Sequence, residues 1–251
     1  MDRLITDSES RVKLILITGN IGAGKSSLIE KLKDPEIQGE LCSERRKWVF
    51  IQEDYKKNKA LLNLYTNINE GKEVTEMLAF QCQLSFLISF YEEFREKFKD
   101  YLRKSHKKYI VVLDRSDLDV IEVFGHMMRT SKTLSEQSYS ELVRVREVLK
   151  SYVEMIIKRS LSPDMIVMLD GDASVLRSRI SKRAAENKES IRLQEVKAVN
   201  EEYLVNLSSR YQEISDTYSR KTTVVSVDTS RYGSTTELYN ALRKRIQEKI
   251  V

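Results

Sequence analysis

The sequence predicts an α/β fold, a five-stranded parallel sheet with helices on both faces. Three observations point there. Five short apolar runs, rich in β-branched residues, recur along the 251 residues. Longer stretches with helical spacing separate them. Only 2 prolines and 8 glycines punctuate the chain, which favours long helices over many turns. The runs are Lys13–Thr18, Trp48–Gln52, Tyr109–Leu113, Met165–Leu169 and Thr223–Val227. Most are continuous rather than alternating, the pattern of strands buried on both faces. The helical stretches include Lys72–Arg103, Tyr139–Ser160 and Arg192–Ser219. Strand and helix in alternation give parallel strands joined by crossing helices. No repeat, low-complexity linker or shift in composition marks a boundary, so residues 1–251 are expected to form a single domain.

Composition bounds the function. Hydrophobic residues at 41% provide for a sizeable core, and charged residues at 32% suit a solvated surface. Lys plus Arg number 43 against 38 Asp plus Glu, a net of +5. That modest, dispersed excess suits an anionic ligand such as a nucleotide and argues against nucleic acid as a partner. Cys42 and Cys82 have no framework spacing, so a reducing, cytoplasmic setting is expected. The opening residues, MDRLITDSESRVK, lack the apolar core of a signal peptide. No apolar run approaches the length of a membrane span, so no membrane partner is expected.

The first strand breaks into Gly19-Asn20-Ile21-Gly22-Ala23-Gly24-Lys25-Ser26-Ser27. This fits the pattern G-x-x-x-x-G-K-S/T. Glycines let backbone N–H groups turn onto phosphate oxygens without Cβ clashes. A helix from about Lys25 aims its unpaired N–H groups and positive dipole end at the same anion. Lys25 would reach the β- and γ-phosphates, and Ser26 would offer its hydroxyl to Mg²⁺. The stretch predicts a nucleoside triphosphate site.

Two classes of protein use such a loop: kinases that pass the γ-phosphate to a small acceptor, and ATPase or GTPase modules that hydrolyse it. A GTPase would show N-K-x-D after a late strand. Here Asn187-Lys188 is followed by Glu189-Ser190 in a charged segment. A motor ATPase often ends a strand in Asp-Glu, whereas the third strand ends Leu113-Asp114-Arg115-Ser116. An arginine after the carboxylate suits holding phosphates more than activating water. Asp114, at the carboxyl end of a strand, could hold Mg²⁺ through water or cap the next helix. Arg115 could bridge donor and acceptor phosphates.

The second strand ends WVFIQEDYKK, which puts Glu53 and Asp54 at another carboxyl end. One could take a proton from an attacking hydroxyl, and the other could cap a helix; Glu53 is favoured as the base. In the stretch MLAFQCQLSFLISF, Gln81 and Gln83 are embedded among apolar residues. An amide can pair with a base edge through one donor and one acceptor. Phe80, Phe86 and Phe90 fit a core role. On charge alone, Ser178–Arg192 reads as a solvated helix face.

Taken in order, these pieces resemble the deoxynucleoside kinase family. The matching parts are GNIGAGKSS, a carboxylate ending the second strand, FQ within a long helix, DRS after the third strand, and RSRISKR. They span roughly Lys13 to Asp228. The resemblance implies a phosphate-loop kinase fold and transfer of the γ-phosphate of ATP, with Mg²⁺, to the 5′-hydroxyl of a deoxynucleoside. It also implies a salvage role and a homodimer formed through two long helices. Nucleoside monophosphate kinases and uridine-kinase-like enzymes are the alternatives within kinases, because EDYKKN replaces the Glu-Pro and Trp common in the family.

Carried over by residue, the resemblance makes Glu53 the base that activates the 5′-hydroxyl. Gln81 becomes the partner of the nucleobase, and Arg115 holds the 5′ side and the transferring phosphate. Asp114 stands where the family usually has Glu. Tyr65 resembles a tyrosine on the sugar 3′-hydroxyl. Arg179 and Arg183 fall in a lid, about residues 178–192, that closes over the phosphates of ATP. Glu186 and Glu189 are candidates for the lid carboxylate on the 3′-hydroxyl, with Lys188 aligned between them; Glu189 is taken into the substrate set. Deoxycytidine-type members place Arg seven residues after the glutamine and Asp six after the acidic residue of the DRS-like turn. Here those positions are Ile88 and Val120, with Leu84 nearby. An apolar trio disfavours a buried charged pair and suits the methyl of thymine, so thymidine or another pyrimidine is expected.

Glu53→Gln should lower kcat by about 10²-fold or more while ATP binding persists, if general-base catalysis carries its usual weight. Steady-state kinetics beside a nucleotide titration check this, and near-normal kcat would pass the role to Asp54 or water.

Overall fold

The five expected strands all form, and they share one parallel sheet. They are β1 (Val12–Gly19), β2 (Arg46–Gln52), β3 (Lys108–Asp114), β4 (Met165–Asp170) and β5 (Thr223–Asp228), in the spatial order β2-β3-β1-β4-β5. This computed structural model describes residues 11–42, 46–52, 55–98 and 108–250. In β1, Leu14, Ile15, Leu16 and Ile17 are each at most 1% exposed. Successive strand residues point to opposite faces, so both faces of the sheet are covered. That is why the strands read as continuous apolar runs.

Ten helices occur among the described residues. α1 (Lys25–Leu32) and α2 (Pro35–Leu41) follow β1, and α3 (Lys59–Asn69) and α4 (Glu76–Phe98) follow β2. After β3 come a π-helical turn (Asp119–Gly125), α5 (His126–Thr130) and α6 (Glu136–Ile157). α7 (Ala173–Glu186), α8 (Ser190–Ala198) and α9 (Glu201–Tyr218) follow β4, and α10 (Thr235–Ile250) closes the chain. α10 packs on α1 and α2, while α4 packs on α6. No helix among the described residues is long and apolar enough to cross a membrane.

Boundaries differ from expectation where caps intervene. The stretch expected as one helix over 192–219 is two. Asn200 breaks it, its side chain accepting from the Tyr203 N–H at 2.8 Å to start α9. α6 starts three residues early because Ser135 caps it, and it stops at Lys158, whose φ of 55° is left-handed. α4 begins at Glu76 rather than Lys72, and the expected tail to Arg103 lies outside the described residues.

One buried group ties the carboxyl ends of the central strands together. Asp119 is 0% exposed. It accepts from the Thr18 hydroxyl at the end of β1, from the Ser116 N–H at 2.9 Å just beyond β3, and from the Tyr211 hydroxyl on α9 at 2.9 Å. Asp119→Ala would leave three buried donors unpaired, and each orphan costs about 1–3 kcal/mol. We expect a loss of about 3 kcal/mol or more in urea unfolding, with Asp119→Asn recovering part of it.

Candidate active site

The phosphate loop is held in shape by the protein's own contacts. Gly19 has φ of +130°, and a Cβ there would sit 1.8 Å from the Leu169 carbonyl oxygen, so only glycine fits. That same carbonyl accepts from the Asn20 N–H at 2.9 Å. Gly22 approaches α7, where a Cβ would lie 2.8 Å from the Leu176 carbonyl oxygen. The Asn20 side chain is an anchor: its Nδ2 lies 2.9 Å from the Leu204 carbonyl and 3.1 Å from Asp170 Oδ1, while its Oδ1 accepts from the Ile21 N–H at 2.8 Å. Lys25 Nζ donates to the Gly19 and Asn20 carbonyls at 2.8 and 2.7 Å, which bends the lysine back across the loop. α1 has no side-chain cap at Gly24, so its first N–H groups face the loop's mouth.

From that mouth a cavity of about 1320 Å³ runs between the sheet's carboxyl edge and α3, α4, α7 and α8. Ile21 to Ser27 line one end, with Ser26 and Ser27 exposed. Asp114 and Arg115 line its floor. Asp114 is 8% exposed; burial raises its carboxyl pKa, opposed by the charges of Lys25 and Arg115. Arg115 has φ of 60°, an uncommon backbone for a non-glycine residue. Its N–H donates to the Ile17 carbonyl at 3.0 Å, and its guanidinium lies 5.0 Å from the Phe124 ring centre. The Asp119 knot, one residue beyond, fixes the turn that imposes this conformation.

Glu53 and Asp54 lie outside the described residues. Gln52 before them and Tyr55 after them both line the cavity.

The base-side expectation needs correction. Gln81 is exposed and does not line the cavity, whereas Gln83 is 3% exposed and does. Two residues along an α-helix turn a side chain by roughly 200°, so the two glutamines face nearly opposite ways. Gln83 Nε2 meets the Met128 sulfur at 3.5 Å, and its buried Oε1 accepts no hydrogen bond among the described residues. Leu84 and Ile88, counted from Gln81, also miss the cavity; Ile88 is 41% exposed, and Leu84 packs on the core. Counted from Gln83, the equivalent positions are Phe86 and Phe90. These two line a small void of about 20 Å³ together with Ser89, Asp114, Arg115, Ser116 and Val120; Val120 does not line the main cavity. Helical periodicity held the missing signal. Ala79, Gln83 and Leu87 repeat at four-residue spacing on the buried stripe, and Gln81 lies off it.

Tyr65 lines the cavity along with Tyr203 and Glu195. Burial pushes the Tyr65 hydroxyl well above its ordinary pKa, reinforced by the Glu195 charge. Glu195 is 6% exposed and had no signal of its own in the sequence.

The expected lid comprises α7, the turn after it and the start of α8. Arg179 lines the cavity but donates to Thr229, to Oγ1 and to the carbonyl oxygen, both at 2.9 Å. Arg183 also lines it and donates to Glu195 at 2.6 Å. Glu189 does not line the cavity. It pairs with Lys56 at 2.6 Å and accepts from the Tyr55 hydroxyl at 3.2 Å, because the turn carrying it docks on residues 55–57. Glu186 does line the cavity.

Solved structures share this fold. The chain is similar in structure to the deoxyadenosine kinase of M. mycoides. With bound dATP, the TM-score is 0.57 at 18% identity, covering 93% of this chain and 98% of that one. With products dCMP and a flexible dCDP, it is 0.58 at 18%, covering 94% and 99%. With bound dCTP, it is 0.59 at 19%, covering 92% and 99%. These likenesses show the fold. A search of curated proteins finds no match. The family model for deoxynucleoside kinase matches residues 15–251, nearly the whole chain. The chain therefore belongs to the deoxynucleoside kinase family of enzymes.

Proposed function

We propose that the protein transfers the γ-phosphate of ATP to the 5′-hydroxyl of a pyrimidine deoxynucleoside, thymidine foremost. One observation carries this reading. One cavity is lined at one end by Gly24, Lys25 and Ser26 and elsewhere by Gln83, a buried amide whose acceptor is unpaired among the described residues. A triphosphate and a nucleobase are the two chemistries that those ends would recognise.

The roles follow from the lining. Loop N–H groups and Lys25 hold the β- and γ-phosphates. Arg115, fixed by its strained turn, stands between donor and acceptor and meets the charge that spreads over the transferring oxygens. Gln83 pairs with the base edge, and Tyr65 faces the sugar. Glu53 draws the proton from the 5′-hydroxyl as the oxygen attacks. The exposed Ser26 hydroxyl and the Asp114 carboxylate are hard oxygen donors, suited to a magnesium ion that takes its other ligands from phosphates and water. When bound, that ion would neutralise phosphate charge. Arg179 and Arg183 add positive charge from the lid side.

The preference for a pyrimidine rests on bulk and polarity. Phe86, Phe90 and Val120 border a void of about 20 Å³ and carry no charge themselves; the charged residues at that void are Asp114 and Arg115, which the phosphate and metal roles already engage. A homodimer is part of the proposal. Val148, Tyr152 and Met155 form an exposed apolar stripe on α6 at helical spacing, beside α4 with its exposed Ile88. A cytoplasmic salvage role is carried over from the family resemblance.

A radiolabelled-ATP assay over thymidine, deoxycytidine, deoxyadenosine, deoxyguanosine, their monophosphates and no acceptor tests the reading. Label should enter pyrimidine nucleosides with the highest kcat/KM. A purine preference would overturn the substrate assignment. Transfer to monophosphates alone would indicate a monophosphate kinase, and phosphate release without acceptor a hydrolase.

A further inference from the structure

Glu195 stands where the lid arginines meet the wall of the cavity. Its carboxylate takes hydrogen bonds from two guanidinium groups. Arg183 Nη2 reaches Oε2 at 2.6 Å, and Arg192 Nη1 reaches Oε2 at 2.9 Å and Oε1 at 3.1 Å. Two cations on one carboxylate leave a surplus positive charge beside the cavity. The Nε atoms of both arginines are buried and have no hydrogen-bond partner among the described residues. The pair therefore keeps hydrogen-bonding capacity that Glu195 does not use.

The two arginines are not held alike. Arg192 bonds both carboxylate oxygens, and its guanidinium lies 3.8 Å from the Tyr55 ring centre. The turn beside it is latched by Glu189 to Lys56 and Tyr55. Arg183 has one hydrogen bond to Glu195, sits in the last turn of α7, and shares its cavity with Lys25 and Ser26. Arg183 makes one hydrogen bond to Glu195 against two from Arg192 and lacks the ring contact that Arg192 has, so its seat is the weaker one.

We propose that Glu195 is a positioning residue that holds Arg183 in reserve, and that a bound triphosphate draws Arg183 off Glu195 while Arg192 keeps the carboxylate paired. Breaking a buried ion pair is ordinarily costly because one charge is left uncompensated. Here a second guanidinium already covers both oxygens, so no charge is orphaned when Arg183 leaves. Its own charge moves to phosphate oxygens within the same cavity. The inference rests on reading the loop end as a triphosphate site, and it adds an exchange of partners that the reading alone does not require.

The test is an equilibrium titration of the full chain with magnesium and AMP-PNP, a non-transferable ATP analogue, followed by calorimetry. Glu195→Gln weakens the competing seat, so binding should tighten by about threefold to fivefold, the scale of one partly exposed ion pair. Arg183→Gln should weaken binding. In the Arg183→Gln background, Glu195→Gln should have no further effect. Structural damage alone would weaken binding and would act in both backgrounds. Should Glu195→Gln not fold, Glu195→Asp keeps the charge on a shorter arm and should shift binding the same way by less. Unchanged or weaker binding in the Glu195 variants, or an effect that survives in Arg183→Gln, overturns the proposal. If wild type phosphorylates nucleosides yet Arg183→Gln binds the analogue normally, the exchange is wrong and the kinase reading stands. If wild type does not bind the analogue at all, both fall.

Discussion

Asp119 is the group on which the geometry of this site depends. Thr18 donates to it one residue before the phosphate loop begins, and Ser116 donates to it one residue after Arg115. Tyr211 brings α9 to the same carboxylate. The phosphate-loop end of the cavity and Arg115 are thereby referred to one buried point. Phosphoryl transfer is chiefly a matter of positioning and charge, so a shared reference of this kind bears directly on the chemistry. The left-handed backbone of Arg115 is tolerable because hydrogen bonds on both sides over-determine it.

Charge in the cavity is arranged around that frame. Lys25, Arg115, Arg179 and Arg183 line it, against Asp114 and Glu195 as buried acidic partners. Low exposure makes each of these charges count for more than it would in water. Three of these cations have protein seats: loop carbonyls for Lys25, Thr229 for Arg179 and Glu195 for Arg183. Arg179 is held by a neutral residue and Arg183 by a carboxylate shared with another arginine, so the two lid arginines are not equivalent.

Much of this was legible in the sequence, for reasons that differ by element. The strands were plain because burial on both faces removes polar alternation. The phosphate loop was plain because its chemistry needs glycines at fixed spacing before a Lys and a Ser. The DRS turn was legible as a motif, but the carboxylate that holds it was not, since Asp119 looks like any acidic residue beginning a helix. Gln83 lay in view beside Gln81, and the FQ pairing pointed to the one that does not line the cavity. Orientation on α4 decides between them, and a two-letter match carries no orientation. Glu189 and Glu195 show the same limit. One lies in the expected lid and the other just beyond it on α8, and only the docking of the turn on residues 55–57 separates a latch from a cavity wall.

The central claim is that one cavity binds donor and acceptor together, across the point fixed by Asp119. The most direct measurement is the affinity of a single ligand carrying both, thymidine and adenosine joined through their 5′ oxygens by a polyphosphate chain. If both halves engage at once, the second contact becomes intramolecular, and the joined ligand should bind about 10²-fold or more tightly than thymidine or AMP-PNP alone. Binding no tighter than AMP-PNP would show that the two ends of the cavity do not act together and would contradict the account.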